Sequence, residues 1–166
     1  MRVQILSTAE VQVLLTYLVK RPVRDRLIVR LMLQCGLRVG EVSALNVEHV
    51  WRGGYVHPAV NLIRGTTKGH KPRYVDMPEP VRDLIKKHID SLSDHLDGPT
   101  PATPLFTGDK VHVRLLPGGI GRIVGAISRD ALGRVIHPHV LRHTFATILM
   151  KYTNMRVVQQ LLGHAS

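Results

Sequence analysis

The sequence predicts an α+β fold, mainly α-helical with a small three-stranded antiparallel sheet set into it. Three observations predict it. Apolar residues recur at three- and four-residue spacing in several separated segments, which is the mark of amphipathic helices. Short runs containing β-branched and aromatic residues, joined by glycine turns, fall together between about residues 50 and 75. Strands and helices do not alternate along the chain as a parallel βαβ sheet requires.

The elements follow in order. Ser7-Thr8-Ala9-Glu10 forms a capping box, in which the serine hydroxyl and the glutamate carboxylate each satisfy an orphan N–H. Val11, Leu14, Leu15 and Leu18 then mark a first helix, ending near Lys20 before Pro22. A second helix runs from Val23 to Gln34, with Gly36 placed to stop it. A short third helix reaches Leu45. Val50-Trp51, the turn Gly53-Gly54 and Tyr55-Val56 read as a hairpin, and Asn61–Ile63 and Arg73–Val75 as further strand pieces flanking a basic loop, 64–71. Pro78 and Pro80 open a helix to about Leu96, and Asp97–Pro104 is a surface loop. Helices are expected over Gly118–Arg129, from Pro138 to about Lys151, and over Asn154–Leu162, the last closed by Gly163.

At 166 residues the chain fits one domain, 1–166, and is long enough to bury a core without a disulfide or metal staple. Apolar residues make up 44% and charged residues 21%, which argues against wholesale disorder. Cys35 stands alone, so no internal disulfide forms and a reducing, cytoplasmic setting is expected. The N-terminus lacks the apolar run of a secretory signal, and no stretch is apolar enough to span a membrane.

Charge is the first functional clue. Lys and Arg number 23 against 12 acidic residues, a formal net charge of +11. Sixteen of the cations are Arg, whose planar fork matches phosphate oxygens two at a time. This balance points to a polyanion, nucleic acid first among them. Aromatic residues are only 4%, too few for a row of single-strand stacking platforms.

Three segments carry polar residues that packing alone leaves unexplained. In Gly36-Leu37-Arg38-Val39-Gly40-Glu41, Glu41 can orient the Arg38 guanidinium, although a capping glycine beside an ordinary surface ion pair reads equally well. Thr67-Lys68-Gly69-His70-Lys71 places lysines at a hairpin tip, where they can reach a phosphate or donate a proton, or form only a solvated turn. In His137-Pro138-His139-Val140-Leu141-Arg142-His143, His139 and Arg142 share a helix face. His139 and His143 also have zinc-ligand spacing, but no glutamate of an H-E-x-x-H motif and no cysteine cluster accompanies them. Leu161-Leu162-Gly163-His164 sets a last histidine directly after a helix stop.

Taken together and in this order, these four segments resemble the tyrosine recombinase, or phage integrase, family over nearly the whole chain. The resemblance implies a catalytic domain of a DNA strand-exchange enzyme, in which a tyrosine attacks the scissile phosphate and forms a 3′-phosphotyrosyl link without cofactor or metal. Carried over by motif, Arg38 and Arg142 clamp the non-bridging oxygens, and Lys68 protonates the leaving 5′ oxygen, with Lys71 a rival for that role. His139 assists proton transfer at the tyrosine, His164 hydrogen-bonds the phosphate and Glu41 fixes the geometry from behind. Lys71 and Arg73 are expected to contact DNA.

The chain also departs from the family pattern. The nucleophilic tyrosine is expected shortly after the Leu-Gly-His motif, whereas Tyr17, Tyr55, Tyr74 and Tyr152 all precede it. The resemblance therefore implies a catalytic domain lacking its nucleophile and its N-terminal DNA-clamping domain, inactive in covalent chemistry by itself. The implied partner is duplex DNA, with a tetramer on DNA for a complete family protein of a mobile element and a monomer for these residues alone. A non-catalytic duplex-DNA-binding regulator descended from a recombinase is the alternative, and a type IB topoisomerase, with a similar pocket, a third. The Leu161–His164 phrase and compact size favour the recombinase.

Overall fold

In a computed structural model of the chain, residues 4–62, 72–95, 98–110 and 112–163 are described, His95 by its backbone alone. Helix α1, Thr8–Leu18, starts at the expected capping box: the Glu10 amide donates to Ser7 Oγ at 3.2 Å and the Ser7 amide to Glu10 Oε2 at 2.8 Å. It ends two residues before Lys20, because the Lys20 and Arg21 amides turn back onto the carbonyls of Tyr17 and Leu18 in tighter turns ahead of Pro22.

Helix α2, Val23–Gln34, is the centre of the fold. Leu27, Ile28, Val29, Leu31, Met32 and Leu33 are all buried, so this helix is covered on most sides rather than along one stripe. Helix α4, Glu79–His95, packs on it through Val81, Leu84, Ile85, His88, Ile89 and Leu92, spaced by three and four. Helix α6, Pro138–Met150, covers another side, and α5, Pro117–Leu132, lies between α1 and the short α3, Val39–Ala44. Helix α7, Met155–Leu162, packs against α6 and ends at Gly163, whose φ of +66° suits glycine.

The strands differ from expectation in one respect. β1, Trp51–Arg52, pairs antiparallel with β2, Tyr55–Val56, across Gly53 and Gly54, both at positive φ. β3, Ala59–Leu62, pairs antiparallel with β4, Arg73–Asp76, from Ala59↔Asp76 to Leu62↔Arg73. Among the described residues these are two separate two-stranded ladders, not one three-stranded sheet. The physical reason lies at His57-Pro58: proline has no N–H to extend a ladder, and the chain changes partner there.

The surface loop expected from Asp97 to Pro104 leads into a core segment. Leu105 and Phe106 are fully buried, the Leu105 amide donates to the Leu45 carbonyl at 2.9 Å, and the Val47 amide to that of Thr103 at 2.9 Å. Among the described residues no helix is long and apolar enough to cross a membrane.

Candidate functional site

The site begins where α2 stops. Gly36 takes a φ of +67° and lies against the Phe145 ring of α6, so that a Cβ there would collide with the ring. That turn aims the Gly36 carbonyl at α6 and starts α3 with Arg38 as its N-cap. Glu41, at the third position of α3, reaches back to accept the Arg38 amide at 2.7 Å, the carboxylate half of a capping box.

The Glu41 carboxylate does more than cap. It is 1% exposed and pairs with three arginines, two of them distant in sequence. Arg38 Nη1 donates to Oε1 at 3.2 Å, Arg73 Nη2 to both oxygens at 3.0 and 2.9 Å, and Arg142 Nη1 lies 3.8 Å from Oε2. A buried carboxylate must be paired and hydrogen-bonded to persist. Three cations on one anion leave the cluster formally two charges positive.

Arg142, one turn along α6 from His139, is the most enclosed of the three. Its Nη1 donates to the Gly36 carbonyl and its Nη2 to the Leu162 carbonyl at 2.8 Å. Burial, with Arg38 and Arg73 adding to it against the opposing pull of Glu41, lowers its pKa to about 10. At neutral pH it stays a cation, held in low-dielectric surroundings where an incoming anion interacts strongly. Arg38 keeps 31% of its side chain exposed and forms the open side of the cluster.

The sequence-expected residues are placed as follows. Arg38, Glu41 and Arg142 come together. His139 is exposed on the first turn of α6, its ring centroid 6.5 Å from that of His143. Lys68, Lys71 and His164 lie outside the described residues. Arg73, expected to face DNA, is instead turned inward, with 15% of its side chain exposed and Nη1 donating to the Leu161 carbonyl at 3.3 Å. Among the described residues no group of three or more His, Cys, Asp or Glu is placed to hold a metal. Tyr17 donates its hydroxyl to Asp130 at 3.1 Å, and Tyr55, Tyr74 and Tyr152 are exposed.

Sequence reasoning missed two supports. Arg73 belongs with Glu41, a pairing across 32 residues that no local pattern announces. Arg114 donates to the carbonyls of Ser43 and Leu45 and to Asn46 Oδ1, tying down the end of α3 from a segment with no interpretable motif.

The model of the phage integrase family matches residues 4–166. The chain is 35% identical over 163 residues to the tyrosine recombinase XerA of Pyrococcus furiosus, covering 97% of this chain and 53% of that protein. It is 36% identical to a tyrosine recombinase of Pseudothermotoga lettingae, covering 97% of this chain and 52% of the relative. The chain thus spans about half the length of these relatives. Its fold matches the crystal structure of XerA recombinase with a TM-score of 0.81 at 30% identity, over 98% of this chain and 56% of the other. It also matches a post-cleavage complex of the XerH site-specific recombinase bound to a palindromic difH substrate, with a TM-score of 0.77 at 26% identity, over 98% of this chain and 46% of the other. The arginine cluster around Glu41 thus sits on the fold of known recombinases, and the chain belongs to the phage integrase family of tyrosine recombinases.

Proposed function

We propose that this chain carries the phosphate-activating pocket of a site-specific DNA recombinase. The observation that carries the reading is the set of three guanidinium groups gathered on one buried carboxylate, with net positive charge and Arg38 at its open side. Such a pocket suits a phosphodiester, whose charge rises as a fifth oxygen approaches phosphorus. The chain's +11 charge and the DNA-bound XerH relative support duplex DNA as the partner.

In this mechanism a tyrosine oxygen attacks phosphorus while the bond to the 5′ oxygen breaks, leaving a 3′-phosphotyrosyl link and a free 5′ hydroxyl. Arg38 and Arg142 hold the two non-bridging oxygens. His139, exposed one turn from Arg142, takes the tyrosine proton, and Lys68 or Lys71 returns a proton to the departing 5′ oxygen. His164 donates to the phosphate, and Glu41 keeps the arginines fixed so that little reorganisation accompanies the reaction. Rejoining is the same path reversed. Because the bond energy is kept in the phosphotyrosyl ester, no cofactor enters.

The test is a chain continued past Ser166 by the tyrosine-bearing segment of a relative, incubated with a nicked duplex carrying that relative's site. A covalent protein–DNA adduct is expected, reduced about 10²–10³-fold by Arg38→Ala or Arg142→Ala. Unchanged adduct formation in either variant overturns the assignment.

A further inference from the structure

We infer that Arg73 is a positioning residue. Its guanidinium bridges Glu41 and the C-terminal end of α7, and so ties the start of β4 and the Leu161–Gly163 turn to the carboxylate that Arg38 and Arg142 share, without itself binding DNA. The inference rests on the functional reading above and adds a residue to it.

Four observations lead there. The first is donor geometry: Nη2 is taken up by both oxygens of Glu41, at 3.0 and 2.9 Å, and Nη1 reaches the Leu161 carbonyl at 3.3 Å. Nη2 thus makes two hydrogen bonds and Nη1 one within the protein, whereas each terminal nitrogen of Arg142 makes only one and keeps an N–H for a phosphate oxygen. The second is the state of α7. The last carbonyls of a helix lack partners within it, and here Leu161 is met by Arg73 and Leu162 by Arg142. Two pocket arginines therefore stand at the negative end of α7, where cations are favoured.

The third is closeness. A Cβ at Gly163 would press onto the Arg73 guanidinium, so the turn before His164 is packed directly on this side chain. The fourth is register. Arg73 pairs with Leu62, the last pair of the β3–β4 ladder before residues 63–71. Anchoring Arg73 to Glu41 fixes this end of the ladder. The Glu41 carboxylate, the start of β4 and the end of α7 thus share one guanidinium that neither packing nor charge balance alone requires to point this way.

Two simpler roles make different predictions. Were Arg73 only a counter-charge for Glu41, a lysine would serve as well. Were it a phosphate contact, its removal would lower the salt dependence of DNA binding by about 0.9 in the log–log slope. A lysine ammonium keeps the charge but cannot span Glu41 and Leu161 as a planar fork does.

The experiment uses the 166-residue chain and a 30-base-pair duplex, comparing the unaltered protein with Arg73→Lys and Arg73→Gln. Hydrogen exchange at the Leu161–Gly163 amides and duplex affinity across a salt series are measured. For Arg73→Lys, the expected result is an unchanged melting temperature, exchange at the end of α7 faster by about tenfold, and duplex affinity severalfold weaker at an unchanged salt slope. Arg73→Gln is expected to show the same unchanged slope. Exchange and affinity in Arg73→Lys equal to the unaltered chain overturn the inference in favour of simple charge balance. A slope lowered by about 0.9 in Arg73→Gln overturns it in favour of a phosphate contact. Absence of salt-dependent duplex binding by the unaltered chain strikes instead at the functional reading on which the inference rests.

Discussion

Replacing Glu41 by Gln tests the organisation of the pocket most severely. The substitution keeps the shape of the side chain and removes the one carboxylate that the three arginines share. The Arg38 amide and guanidinium, both Arg73 contacts and the more distant Arg142 all lose a charged acceptor. The new NH₂ group also sets a donor against donors. Removing one partner of a buried ion pair costs about 3–5 kcal/mol. Arg38 and Arg73 retain 31% and 15% side-chain exposure, so water recovers part of that, and about 2–3 kcal/mol is expected. For a chain of this size each kcal/mol lowers the melting temperature by about 2–4 °C, giving a fall of about 4–12 °C. Urea unfolding at low ionic strength measures the loss directly. Added sulfate should recover more stability in the variant than in the unaltered chain, because it supplies an anion to a pocket that has lost its own. A loss below about 0.5 kcal/mol, the range of an ordinary surface change, would refute the claim that Glu41 organises the cluster.

Gly36→Ala should destabilise by about 2–4 kcal/mol, from about 1 kcal/mol for an alanine at positive φ and the rest from collision with Phe145; denaturant titration checks it, and Phe145→Leu should relieve only the steric part. Burial holds His88 and His49 below the ordinary histidine value of 6.5, with His88 Nε2 donating to the Leu105 carbonyl and His49 Nδ1 accepting the Asn46 amide. Their folded forms resist a proton that the unfolded chain takes up, so this stability is full above pH 6.5 and is lost as the pH falls below it; in His88→Gln the acid-side fall, followed by unfolding at a series of pH values, should be shallower. Burial, aided by Asp76, pushes the Cys35 thiol up to about 12, so a thiol reagent at pH 8 should label it only as fast as the chain opens. Gly163→Ala should displace the Arg73 guanidinium and speed amide exchange at the end of α7 as Arg73→Lys does, while leaving the Glu41 charge paired.

How much of this was legible in the sequence depended on the range of the interaction. Helices were found because their signals are local: the Ser7–Glu10 box, the proline at the start of α6 and the glycine after α7 each act within one turn. The Arg38–Glu41 pair was readable for the same reason, being three residues apart within one capping arrangement. What could not be read was long-range. Arg73 looks like a hairpin cation that should face solvent, and only the fold brings it to a carboxylate 32 residues away. Leu105 and Phe106 are two apolar residues in a turn-rich stretch, too few to show a period, yet they fill the core beside α4. The single sheet was over-predicted because strand propensity does not say which neighbour a strand takes, and Pro58 divides the ladder.

The central claim is that Arg38 and Arg142 grip the same phosphate of a duplex. The most direct measurement is the salt dependence of duplex binding by the unaltered chain, Arg38→Ala, Arg142→Ala and the double variant, each confirmed to be folded. Each neutralised phosphate contributes about 0.9 to the log–log slope. With about 5–8 phosphates engaged, the unaltered chain should give a slope of about −5 to −7. With one phosphate held by both, either arginine alone still neutralises it, so each single variant should leave the slope nearly unchanged and the double variant should lower its magnitude by about 0.9. Single variants that each lose about 0.9, with a double variant that loses about 1.8, would contradict a shared phosphate.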